Sequence, residues 1–196
     1  GTWTRSTSER TQLLASLSGF KVNSNDSGSQ NTTYYAAQVG FGHVLTEKLR
    51  VRLVAGPTLA RVNFVFASGG VRFTNTDTSL GYGFDGTVDY QQDERLSLQG
   101  RVYRTVRPSS TTGVVLEETG FRASGRYALM QHVSLDLAAL YVLRESVGQT
   151  DTSGRRDFVS VEPGLLWRLA ENWDLRFAYR YRWQRFDDAD EDPDAS

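Results

Sequence analysis

Arginine recurs at every second or fourth position along several stretches of this chain: Arg50 and Arg52, Arg122 and Arg126, then Arg176, Arg180 and Arg182. Arg101, Arg144 and Arg168 stand in similar settings, and carboxylates interleave at Asp85, Asp89, Glu118, Asp136 and Glu162. A guanidinium presents a rigid fork of donors that suits carboxylates and phosphates, and it stays charged throughout the working pH range. Charges turned inward need partners or water. Two arrangements meet that need. The charges pair across a narrow interior and fill it, or they line water, in which case the arginine excess favours anions.

Other chemistry is poorly supported. His43 and His132 both lie near short charged turns, and no histidine stands with carboxylates at the opposite end, so acid–base catalysis is not expected. No G-x-S-x-G, P-loop or H-E-x-x-H motif occurs. Cysteine is absent, which excludes disulfides and thiolate metal sites. Asp187, Asp188, Asp190, Glu191, Asp192 and Asp194 could attract Ca²⁺ but lack the EF-hand spacing and its bending glycine, so 187–196 reads as a solvated acidic loop or tail. The expectation is a protein that is not an enzyme and needs no cofactor or metal.

The elements that position these residues show a period of two. From Asp174 to Phe186, Leu175, Phe177, Tyr179, Tyr181 and Trp183 share one face, while Arg176, Ala178, Arg180, Arg182 and Gln184 share the other. Only a strand separates residues in this way. The same alternation runs through Leu49–Leu59, Leu80–Gln91, Val133–Arg144 and Val159–Leu169. About ten strands are expected: a partial one at 1–7, then 9–22, 32–45, 49–62, 79–91, 95–107, 114–129, 133–146, 157–169 and 173–186. Most exceed the roughly 5–6 residues usual in soluble proteins and reach the roughly 9–11 that a tilted strand needs to cross a bilayer. Short charged turns at Ser8-Glu9-Arg10, Thr46-Glu47-Lys48, Asp93-Glu94-Arg95, Met130-Gln131-His132 and Glu171-Asn172-Trp173 alternate with longer polar loops at 23–31, 63–79, 108–113 and 148–157. Short turns at one end and long loops at the other are the pattern of an outer-membrane barrel, with the short turns periplasmic. Ser68-Gly69-Gly70 suits the tip of a hairpin that extends past the membrane.

Aromatic residues give a second signal. Tyr34, Tyr35, Tyr82, Tyr141, Tyr181 and Trp183 fall toward the long loops, and Tyr90, Tyr127, Trp167 and Trp173 toward the short turns. Tyrosine and tryptophan favour the headgroup layer, so two girdles are expected. Composition agrees. The 196 residues include 18 Gly, 4 Pro and 12% aromatics, with a net charge of −1 that gives no electrostatic attraction for nucleic acid. Mean hydropathy is −0.44, which a barrel tolerates because only alternate residues meet lipid. No apolar run approaches the roughly 20 residues of a membrane helix.

Several phrases resemble bacterial outer-membrane β-barrel proteins: Trp3-Thr4-Arg5-Ser6-Thr7-Ser8-Glu9-Arg10-Thr11, Val44-Leu45-Thr46-Glu47-Lys48-Leu49, Trp167-Arg168-Leu169-Ala170-Glu171-Asn172-Trp173-Asp174-Leu175, and Tyr179-Arg180-Tyr181-Arg182 before the acidic segment. The chain looks most like barrels associated with exosortase and exopolysaccharide loci. That resemblance implies an outer-membrane location and a β-barrel fold; an envelope protein or polysaccharide is a candidate partner. It carries over no catalytic residues. In such families a further strand ending in an aromatic follows the acidic loop, and this chain departs there.

Together these signals predict an all-β, antiparallel up-and-down transmembrane barrel over 1–186, with 187–196 as a loop or tail. The chain is expected to start and stop on the long-loop side, as a fragment of a barrel of about 12 strands would. The functional expectation is a narrow pore or export-associated channel in the bacterial outer membrane, its partner the lipid bilayer. A non-conducting barrel that anchors an envelope partner is the alternative, and a soluble ligand-binding β-barrel is a lesser one.

Overall fold

The computed structural model describes residues 1–24, 29–68, 71–108, 115–147 and 155–187. Among these it contains eleven strands: β1 (Thr2–Ser6), β2 (Thr11–Ser24), β3 (Ser29–Thr46), β4 (Leu49–Ser68), β5 (Val71–Gln91), β6 (Leu96–Pro108), β7 (Val115–Met130), β8 (Val133–Val147), β9 (Arg155–Ala170), β10 (Trp173–Ala178) and β11 (Tyr181–Asp187). None of the described residues is helical. The strands form one antiparallel sheet in sequence order, β1 to β10, with β11 also paired to β9. Each strand thus neighbours the next along the chain, as an up-and-down meander requires. The sheet is not closed, because β1 and β10–β11 occupy its two margins without pairing to each other.

Two differences from the sequence reading have physical causes. The stretch 63–79, expected to be a loop, is mostly strand: β4 and β5 stay in register from Leu49↔Tyr90 out to Ser68↔Val71, and the hairpin tip at 69–70 lies outside the described residues. Its Asn- and Thr-rich composition lacks the alternation of a half-buried strand and so resembles a loop. The expected tenth strand, 173–186, appears as two segments. Ala178 pairs Gly164 and Tyr181 pairs Val161, so the register is unbroken, and the Tyr179 N–H donates to the Pro163 carbonyl at 3.0 Å. Pro163 has no N–H to return that bond. β10 and β11 are therefore one edge strand, interrupted opposite a proline. Most of the acidic segment, 188–196, lies outside the described residues.

Register divides the residues between two faces. On one, Leu13, Leu17, Tyr35, Val39, Phe41, Leu53, Leu59, Leu80, Val88, Val102, Phe121, Leu137 and Phe177 fall together. Many of these are open: Leu80 is 76% exposed, and Leu17 and Val39 are 69% exposed. An apolar band this continuous is far larger than the patches that water-soluble monomers carry. The opposite face carries the inner charges with apolar residues among them: Val54 and Val142 are buried there, and Tyr34, Ala36, Ala60 and Val106 form a small dry cluster. There Thr58 is only 2% exposed. Pairing between β5 and β6 ends at Phe84↔Arg104, and beyond it Val106 joins the charged-face cluster.

Glycines allow one close approach within the sheet. A Cβ at Gly56 would overlap the Ala37 carbonyl, where β3 and β4 interrupt their pairing between Ala36↔Thr58 and Val39↔Ala55, and one at Gly40, paired with Val54 beside that gap, would overlap the Leu53 carbonyl. Gly81-Tyr82-Gly83-Phe84-Asp85-Gly86 has the spacing of a dinucleotide fingerprint, but it lies inside β5 with no helix after it. It therefore lacks the helix N-terminus on which such a motif depends.

Candidate functional site: an arginine-lined concave face

Pairing places Arg50 and Arg52 of β4, Asp85 and Asp89 of β5, Arg101 of β6, Glu118, Arg122 and Arg126 of β7, Asp136 and Arg144 of β8, and Glu162 and Arg168 of β9 on one face. Arg176 and Arg182 join them from β10 and β11. Arg180, at the proline gap, reaches Glu162 on the same face, Nε to Oε2 at 2.5 Å. This face is hollow. A cavity of about 520 Å³ is bounded by residues from β1 through β7, among them Thr2, Gln38, Arg52, Asp85, Arg101 and Arg122. A second, of about 510 Å³, lies toward the short turns and is bounded by Lys48, Arg50, Asp89, Arg126, Asp136 and Arg176, among others.

The charges are organised by hairpin. Arg101 grips Asp85 between β5 and β6, where the Gln99 amide also donates to Asp89 at 2.8 Å. Arg126 meets Asp136 at 2.7 Å and Arg144 meets Glu118 at 2.9 Å, both between β7 and β8. Arg168 lies 3.5 Å from Asp174, and Arg180 reaches Glu162, both between β9 and the edge strand. Each of these pairs of strands is joined by a short turn. Glu118 also accepts a 2.9 Å bond from the Tyr103 hydroxyl. The Tyr103 ring lies across Gly120, directly opposite on β7, where any Cβ would collide with it.

The cavity bounded by β1 to β7 carries an excess of positive charge. Arg52, Arg101 and Arg122 line it with Asp85, and Asp85 is held by Arg101. Arg101 and Arg122 are direct cross-strand partners. Like charges so placed repel, and an anion between them would relieve the repulsion.

The girdle residues Tyr35, Tyr82, Tyr90, Tyr127, Tyr141, Trp167, Tyr181 and Trp183 all fall on the apolar face, and Trp173 stands exposed at the β9–β10 turn. Tyr34 does not join them. It alternates with Tyr35, so it turns to the charged face, where it is buried and stacked on Phe20 with ring centroids 4.9 Å apart. The sequence reading also missed a set of charges on the apolar face near the long loops. Arg104 pairs with Glu117 and lies over the Tyr82 ring, 4.3 Å from its centre. Arg155 lies 4.0 Å from Glu145 and 3.8 Å from Asp157. Their place in the alternation was the available signal: Arg104 shares parity with Val102, and Asp157 with Val159. His43 also faces the apolar side, bonded through Nδ1 to the Thr11 hydroxyl at 2.9 Å, and His132 sits in the β7–β8 turn. Neither joins the charged hollow. No group of three or more potential metal ligands occurs among the described residues.

No protein-family model and no curated protein matches this chain. Solved structures do. OmpT of Vibrio cholerae, described as an outer membrane protein, superposes with a TM-score of 0.51 in its loop L8 deletion form, at 15% identity, over 90% of this chain and 59% of that one. In-vitro folded OmpT gives 0.50 at 15% identity, over 90% and 54%. The ferric yersiniabactin uptake receptor FyuA of Yersinia pestis gives 0.59 at 16% identity, over 91% and 32%. The chain thus spans just over half the length of the OmpT structures and about a third of FyuA. The fold is that of an outer-membrane β-barrel wall.

Proposed function

We propose that this chain builds the wall of a bacterial outer-membrane barrel whose arginine-rich inner face passes small anionic solutes. The observation that carries the reading is the hollow bounded by β1 to β7, where Arg52, Arg101 and Arg122 face a single carboxylate already engaged by Arg101. An excess of fixed guanidinium charge lowers the energy of an anion there and raises that of a cation. The apolar face, banded by Tyr35, Tyr82, Tyr141, Tyr181 and Trp183 toward one end and Tyr90, Tyr127, Trp167 and Trp173 toward the other, supports placement in a bilayer. The exopolysaccharide association implied by the sequence resemblance fits the same hollow if the exported polymer is acidic. A catalytic role has no comparable support, since neither histidine reaches the hollow.

The test is conductance in planar bilayers under a salt gradient. The expected result is a reversal potential favouring chloride, with the permeability preference inverted by Arg52→Glu combined with Arg122→Glu. A second reading rests on the dry cluster of Tyr34, Ala36, Ala60 and Val106, which replaces charge with apolar side chains on this face beside the buried Thr58. It describes a non-conducting barrel that anchors an envelope partner. Inserted protein that stays electrically silent would favour that reading and sink the pore.

A further inference from the structure

The apolar face is asymmetric in charge. Across β6–β9 its cations are neutralised locally, Arg104 by Glu117 and Arg155 by Glu145 and Asp157. Across β2–β5 the register puts no carboxylate on that face. It does put Lys21 and Arg61 there, one on each side of Thr33, in the row Lys21↔Thr33↔Arg61↔Thr78. Both cations are exposed, and no ion pair among the described residues engages either. The next row outward is neutral, with the Thr76 hydroxyl donating to Asn63 Oδ1 at 2.9 Å.

Immediately below, by two residues or about 7 Å of strand, lies the row Gly19↔Tyr35↔Leu59↔Leu80. Below that, Leu17 and Val39 are among the most exposed apolar side chains on the molecule. Lys21 and Arg61 stand two strand spacings apart, roughly 9.5 Å. Side chains of that length converge easily on one tetrahedral anion above Thr33, whose hydroxyl supplies a further donor. Two unneutralised cations directly above a bare apolar strip match an amphiphile with an anionic head and several acyl chains.

We propose that Lys21, Thr33 and Arg61 bind the phosphate of a phosphorylated glycolipid of the outer leaflet, whose acyl chains lie along Leu17, Val39 and Leu80. The proposal rests on the outer-membrane reading above and places the long-loop end of the sheet at the outer leaflet. An ammonium and a guanidinium give charge-assisted bonds to phosphate oxygens, and the low dielectric at the edge of the hydrocarbon strengthens them.

The test uses the full chain, refolded and purified in detergent, with diphosphorylated lipid A as probe and native mass spectrometry as readout. Wild-type protein is expected to retain the lipid through washing. Lys21→Ser with Arg61→Ser should lower retention about tenfold, a loss of about 1.4 kcal/mol. Arg10→Ser, at the opposite end, should leave it unchanged, and chemically dephosphorylated lipid should bind like the double variant. Equal retention by wild type and double variant would overturn the site. Full displacement by inorganic phosphate at equal concentration would show that the acyl strip contributes nothing, and would overturn the lipid as ligand. Flotation with vesicles runs in parallel. A chain that never enters bilayers defeats the membrane reading and this one with it, whereas a chain that inserts but is indifferent to the double substitution defeats this one alone.

Discussion

At the scale of single residues, one constrained point is where Tyr103 crosses Gly120 to reach Glu118. The glycine is needed because its missing Cβ is the space the ring occupies. The ring then covers bare backbone and carries its hydroxyl to a carboxylate already held by Arg144. Gly120→Ala should displace the hydroxyl and cost about 1.5–3 kcal/mol, the usual value of a bond to a charged group. Tyr103→Phe in that background should then add little, and urea unfolding of the four-member cycle measures the difference. Asp93 is the second such point. In the β5–β6 turn its Oδ1 accepts from the Arg95 and Leu96 N–H groups at 2.8 and 3.0 Å. Those backbone donors hold its carboxyl below its ordinary value of 3.8. A depressed carboxylate contributes stability that is fully present above the unfolded value and fades as pH falls through the folded one. The wild-type urea midpoint should therefore exceed that of Asp93→Ala near neutrality, and the two should converge as pH falls below 3.8. A gap that persists at lower pH would show that the turn does not depend on the ionised form.

At the scale of elements, most of the strands and both faces were legible because each half-exposed strand advertises its sides by alternation. Arg176, Arg180 and Arg182 fell opposite Phe177, Tyr179 and Tyr181 by parity alone, and pairing with β9 kept them there. Legibility failed where that cause was missing. In the outer part of β4–β5 the polar run Thr74, Asn75, Thr76 and Asp77 carries no alternation and so reads as loop. Tyr34 turns to the charged face because its parity, opposite to that of Tyr35, sets its side and its residue type does not. Val106 joined the charged-face cluster only because β6 leaves β5 beyond Arg104, a tertiary event with no local signature. The break at Tyr179–Arg180 originates in a different strand, at Pro163. Pro163→Val should return the missing donor to the ladder. Amide exchange of Tyr179 and Tyr181 should then slow, and the edge strand should gain about 0.5–1.5 kcal/mol. Unchanged protection at both amides would mean that the gap has another cause.

At the scale of the whole molecule, the sheet separates its tasks between its two sides. One presents an apolar band with aromatic margins, and the other collects arginines and carboxylates around two hollows. Its likeness to OmpT and FyuA is one of backbone course, which this chain matches over nine-tenths of its length at about one residue identical in seven. Such folds survive wide sequence change because alternation and hairpin geometry specify them, not particular residues. The placement of the inner ion pairs then bears on how the molecule comes together. Every inner pair described joins two strands linked by a short turn, whereas Arg104–Glu117 and Arg155–Glu145, which bridge strands connected through long loops, lie on the other side. A hairpin closed by a short turn forms early, because little chain entropy opposes it. Its charges can lock the alignment of its two strands before the next hairpin arrives, when a slip of one residue would still be easy. Assembly then becomes the docking of ribbons already in register, and the long connections between them are free to vary in length without disturbing the alignment within each ribbon.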